Sequence, residues 1–137
     1  MSGRALVDTG ALVALAAPQD QYHARARDIA RRHLAAGRTW CGTTMVLAEF
    51  HGLQLKRAGR DAARRTLSAL LADPVYEWLD VPAELARAAV GAWLERYRDQ
   101  DFTLTDAVSF EVMRRERIRQ AFAFDRHFVT AGYDLLA

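Results

Sequence analysis

The chain alternates short apolar runs with longer stretches in which apolar residues return every three or four positions. The runs at residues 5–7, 39–41, 75–79 and 120–124 have strand length and turn-forming borders, so they predict four β-strands, with 133–135 a candidate fifth. Between them the helical period predicts helices over 10–16, 22–36, from Thr43 or Thr44 to about Lys56, 60–71, 82–97 and 103–117, with a helical turn at 126–130. Gly37 and Gly59 stand where two of these helices end, Asp73-Pro74 stops a third, and Pro82 fits the first turn of the next. In 60–71, Leu67, Leu70 and Leu71 fall on one side. Thr103 and Asp106 are spaced as a capping box with Asp in place of the usual Glu. Strands alternating with helices imply a parallel sheet covered on both faces, a three-layer α/β/α sandwich. Ligands of such sheets bind beyond the carboxyl ends of the strands, where the strand order switches.

Composition adds limits. The 137 residues are a single-domain length, taken as one domain over 1–137, with 51% hydrophobic and 26% charged residues. No run approaches the ~18 apolar residues of a membrane span, and the stretch 11–17, preceded by Asp8, is short for a secretory leader, so the expected location is the cytoplasm. Cys41 is alone, which excludes an intrachain disulfide and a cysteine zinc site; a small buried hydrophobe is its expected role. His23, His33, His51 and His127 show no zinc spacing and are read as surface or packing residues, His51 and His127 being the two that could reach a substrate. Trp40, Trp78 and Trp93 are assigned to core packing.

Four carboxylates change the picture. Asp8 ends the run Ala5-Leu6-Val7, Glu49 interrupts Met45-Val46-Leu47-Ala48-Glu49-Phe50, Asp106 opens a helix, and Asp125 closes Ala121-Phe122-Ala123-Phe124. An ionised carboxylate in apolar surroundings is disfavoured unless a cation, donors or a proton compensates it. Asp8 and Asp125 follow strands directly and should point into the crevice. Glu49 falls inside the apolar arc of its helix, so its side chain is expected to face the body of the protein, and mid-helix it has no capping role. Taken singly, Asp8 and Asp125 could be turn formers and Asp106 a helix N-terminal acid. Jointly they form an all-oxygen donor set of the kind that selects a hard divalent cation. The formal charge of +2 then hides a basic exterior, in keeping with the isoelectric point near 9.0 and suited to a polyanionic substrate. That charge is nearly all arginine, Lys56 being the only lysine.

The motifs Leu6-Val7-Asp8-Thr9, Val46-Leu47-Ala48-Glu49-Phe50, Leu104-Thr105-Asp106-Ala107-Val108-Ser109 and Phe124-Asp125-Arg126-His127-Phe128, with Gly132 beyond, carry a resemblance over the whole chain. The sequence resembles PIN-domain nucleases, and among them the VapC-like toxins of bacterial toxin–antitoxin pairs. That resemblance implies a PIN-like fold with five parallel strands and a Mg²⁺ or Mn²⁺ site made by Asp8, Asp106, Glu49 and Asp125. Asp8 and Asp106 are the expected direct ligands; Glu49 and Asp125 would bind directly, through water or at a second metal. Thr9, Thr105 and Ser109 are candidate supporting hydroxyls, Arg126 a candidate phosphate contact, and Asp101 a solvated loop acid. Ala123 departs from the family pattern, which often has Thr there, and removes one hydroxyl near the site.

The implied activity is hydrolysis of RNA phosphodiester bonds. The implied partners are a cognate antitoxin, blocking the cleft with a basic side chain, and a second copy of the chain in a homodimer. Helices 22–36 and 43–57 could hold the antitoxin or simply cover the sheet. The alternatives are a PIN-like RNA-processing nuclease without a toxin role, or a non-catalytic RNA-binding module. Phosphoaspartate enzymes fit poorly: a dehalogenase-type phosphatase needs a second Asp at Gly10, and a receiver domain needs a lysine near its last strands. No glycine-rich phosphate loop is present.

Overall fold

A computed structural model describes residues 3–137. Its elements run β1 (Arg4–Val7), α1 (Thr9–Ala16), α2 (His23–Ala35), β2 (Thr39–Thr43), α3 (Thr44–Ala58), α4 (Arg60–Ala72), β3 (Tyr76–Leu79), α5 (Ala83–Ala89), a π-helical segment (Val90–Leu94), α6 (Leu104–Glu116), β4 (Gln120–Phe122), α7 (His127–Thr130) and β5 (Asp134–Leu135). The five strands are all parallel, in the order β3-β2-β1-β4-β5. The order therefore reverses between β1 and β4, the strands that Asp8 and Asp125 follow.

Strand periodicity sorts the core into two halves. Leu6 is in register with Cys41 and Ala121, and all three join the core beneath α5, α6 and α7. Ala5, Val7, Trp40 and Phe122 face the other way, into the core covered by α1, α2 and α3. Cys41 is fully buried, and burial pushes its thiol up to about 11, so it behaves as the small hydrophobe expected. His33 stacks on Trp40 at 4.0 Å and its Nε2 reaches the Thr39 carbonyl at 2.7 Å, a packing role.

Three readings of the pattern need correction. The helix expected over 82–97 is α-helical only to Ala89, then widens into the π-helical segment Val90–Leu94. There the Trp93 indole donates to Glu111, a contact the periodicity alone does not reveal. Helix α4 packs outside on α3 and buries only Ala63; Leu71, read as part of its apolar side, is exposed. Glu49 is exposed rather than turned into the body, because its arc of α3 meets a cleft instead of the core.

At Gly42 in β2 a Cβ would lie 2.6 Å from the Trp78 ring and 3.2 Å from Val7. The Trp78 indole is held by its hydrogen bond to the Leu70 carbonyl and by stacking on Tyr76, so it cannot simply swing aside. Gly42→Ala is expected to cost about 1–3 kcal/mol of stability, read from denaturant unfolding.

Candidate active site

At the carboxyl ends of β1 and β4 lies an open cavity of about 490 Å³. Asp8, Glu49, Asp106 and Asp125 all line it. They come from four elements: the turn after β1, mid α3, the first turn of α6, and the loop after β4. The burial is graded, since Asp8 is 7% exposed while the Asp106 and Asp125 side chains are 13% and 47% exposed. Asp8 forms the floor, and Asp125 and Glu49 the rim.

Asp8 is fixed by its amide, which donates to the Phe122 carbonyl across the β1–β4 pair at 3.0 Å. It is the N-cap of α1, yet its side chain caps nothing and stays directed at the cavity. Its pKa is pushed up to about 7, first by burial and then by the charge of Asp106, with lesser contributions from Glu49 and Asp125; only the Thr9 amide opposes this. In the absence of a compensating cation, the floor carboxylate thus keeps its proton well above the usual carboxylate range, up to about pH 7.

The capping box expected at α6 is present: the Asp106 amide donates to Thr103 Oγ1 at 3.0 Å and the Thr103 amide donates to Asp106 Oδ2 at 3.1 Å. Asp106 Oδ2 also lies 3.1 Å from His127 Nδ1, which is 3.4 Å from Asp125 Oδ2. The His127 amide donates to Asp125 Oδ1 at 2.8 Å, and its ring packs edge-on to Phe102. His127 therefore ties two of the four acids together. Among the described residues, no three His, Cys, Asp or Glu side chains are arranged as a closed ligand set, consistent with Asp106 being committed to Thr103 and His127. The donor set nevertheless fits a hard cation: it is dominated by carboxylate oxygen, and Thr9 Oγ1, on the cavity wall, is buried without a partner.

The other sequence candidates fall elsewhere. Thr105 and Ser109 are buried in α6 away from the wall, Ser109 Oγ without a partner. Arg126 and Asp101 are exposed and do not line the cavity, and neither does His51. In contrast, Asp20, Tyr22, Leu53, Arg57 and Phe124 are brought to the wall by the tertiary fold. A larger cavity of about 830 Å³ lies at the opposite end of the sheet, where Arg4 is paired with Glu77 and Glu116; it contains no comparable cluster of acids.

Residues 5–132 match the family model described as PIN domain. The 23S rRNA-specific endonuclease VapC20 of Mycobacterium tuberculosis is 34% identical over 109 residues, covering 74% of this chain and 82% of that protein. The crystal structure of VapC20, described as a Sarcin-Ricin loop cleaving toxin, aligns with TM-score 0.81 at 32% identity over 93% of this chain and 95% of that one. VapBC2 from Rickettsia felis, solved bound to a promoter DNA fragment, aligns with TM-score 0.68 over 96% of each chain. At 16% identity it shares the fold alone.

Proposed function

The chain belongs to the PIN-domain family, and from that membership we propose that it is a Mg²⁺- or Mn²⁺-dependent endoribonuclease, the toxin of a toxin–antitoxin pair. One observation carries the reading: a buried Asp8, with its pKa pushed up to about 7, forms the floor of a cavity whose walls hold the Glu49, Asp106 and Asp125 carboxylates. Likeness to VapC20 supports the toxin role and an RNA substrate. The same reading has the protein working in the cytoplasm as a homodimer, restrained by a cognate antitoxin.

Asp8 and Asp106 would hold the cation, with Glu49 and Asp125 completing its shell or holding a second. Bound there, the cation would lower the pKa of a water and stabilise charge on the phosphate during in-line hydrolysis. The chain's own side chains prepare the ground. His127 fixes the Asp106 and Asp125 carboxylates, and Thr9 Oγ1 is free to support a ligand. Arg57, at the cavity wall and in no ion pair among the described residues, can take a substrate phosphate.

The Asp8 proton competes with the cation. At subsaturating Mg²⁺, the cleavage rate is expected to rise about tenfold per pH unit up to about pH 7 and then level off. A rate already flat between pH 5 and 7 would contradict this role for Asp8. The activity itself is tested by incubating the purified chain and an RNA substrate with Mg²⁺ or with EDTA. Water-driven hydrolysis predicts cation-dependent cutting that leaves linear phosphate ends. Cleavage that survives EDTA, or 2′,3′-cyclic phosphate ends, would overturn it.

A further inference from the structure

The acids account for only part of the cavity wall. Tyr22, Phe124, Val13 and Leu53 line it too, an apolar lining for which phosphodiester chemistry has no use. Tyr22 and Phe124 are both half-buried and stack almost parallel, with ring centroids 4.5 Å apart and planes 5° apart. Phe124 follows β4 immediately before the rim carboxylate Asp125, so the stack adjoins the reacting centre. The two rings are unequally engaged. Phe124 also packs edge-on to Phe122 and lies beneath the Arg25 guanidinium at 5.7 Å. Among the described residues Tyr22 has Phe124 as its only ring partner, and its hydroxyl takes no hydrogen bond.

The turn that presents Tyr22 is fixed, since Asp20 Oδ1 accepts from the Tyr22 amide at 2.8 Å. A flat, preorganised aromatic surface beside a phosphate-cleaving centre is the arrangement that accepts a nucleobase, because every base has a π-face and stacking needs no matched hydrogen bonds. Exposed Arg25 and Arg57 add positive charge near the stack and at the wall, suited to the phosphates on either side of that base.

We propose that Tyr22, backed by Phe124, is a nucleobase-stacking subsite that seats one unpaired nucleotide flanking the scissile phosphate. A base paired within an A-form helix has both faces covered by its neighbours, so the subsite selects loops, bulges or single strands. The inference rests on the nuclease reading above and deepens it toward substrate class.

The test uses the 137-residue chain carrying Asp8→Asn, so that RNA stays intact, and single-stranded oligoribonucleotides in which one 2-aminopurine is walked along the sequence. Its fluorescence is expected to be quenched at one position when the protein binds. Adding Tyr22→Leu removes that quench and weakens binding about tenfold, while Tyr22→Phe keeps both. Replacing the quenched nucleotide by an abasic one weakens binding about tenfold when Tyr22 is present and leaves binding unchanged in the Tyr22→Leu variant. A purely structural role predicts otherwise: the Tyr22→Leu variant would lose affinity equally for intact and abasic RNA, or the quench would persist without the ring. Either result overturns the subsite, as does a failure of the Asp8→Asn protein to bind the RNA. Failure of the nuclease reading shows separately, as absence of cation-dependent cleavage by the unsubstituted chain.

Discussion

Asp8→Asn is expected to abolish RNA cleavage while making the protein more stable at pH 8. The activity loss follows from removing the most buried member of the acidic set. Losing about 4 kcal/mol of transition-state stabilisation already slows the reaction about a thousandfold, and losing a ligand of the proposed cation should cost at least that. The stability gain follows from the burial that makes Asp8 useful. Its pKa is 3.8 in the unfolded chain and about 7 in the fold, so between those values the native state binds more protons than the unfolded state. Stability in cation-free buffer therefore falls as pH rises from about 4 to about 7, by about 4 kcal/mol at most. Asn carries no charge, so the variant should lack this decline and exceed the wild type above pH 7. Denaturant unfolding across that range reads the difference, and a variant less stable than wild type at pH 8 would remove the electrostatic argument.

The second large effect is structural. Glu111 sits in α6 with a side chain only 2% exposed, and its carboxylate accepts from Arg114 Nε at 3.1 Å, Arg114 Nη2 at 2.5 Å, Arg115 Nε at 3.0 Å and the Trp93 indole at 3.2 Å. The Arg114 hydrogen bond, ahead of those from Arg115 and Trp93, holds its pKa down at about 2 against the opposing effect of burial. Glu111→Ala is expected to cost about 3 kcal/mol, since it removes charge-assisted bonds and strands the buried Trp93 N–H. Glu111→Gln should cost less, because an amide oxygen can still accept from Trp93. Here the linkage has the opposite sign to Asp8. The contribution is complete above about pH 4.5 and lost as pH falls toward 2. An Ala variant within about 0.5 kcal/mol of wild type at pH 7 would show that this cluster carries no stability.

Comparing these two acids shows what the sequence could and could not disclose. Asp8 and Asp125 were legible because each ends a strand-length apolar run, and a parallel α/β sheet directs such residues into its crevice. The capping box at Thr103 and Asp106 was legible from spacing alone, and the structure contains it. Glu49 reached the cavity, but for a different reason from the one the pattern suggested. Hydrophobic periodicity distinguishes core from solvent and has no third value for the wall of a cleft, where Glu49 stands exposed.

Glu111 shows the converse. It is a mid-helix acid flanked by Phe110 and Val112, more buried than Glu49, and structural. The missed signal was local: Arg114 and Arg115 stand three and four residues on, where a helix brings side chains together. Asp20, Tyr22 and Arg57 were out of reach of any such rule. They meet the acids only once α1, α2 and α3 are packed on the sheet. The switch to π-helix at Val90 was hidden as well, since a five-residue widening barely alters the apolar period.

The claim on which the rest depends is that the four acids form a divalent-cation site. Calorimetric titration of Mn²⁺ at pH 8 into the wild-type chain and into its Asp8→Asn variant tests it most directly. Saturable binding by the wild type, weakened at least about tenfold in the variant, is the expected result. No binding by the wild type, or equal binding by both, would contradict it.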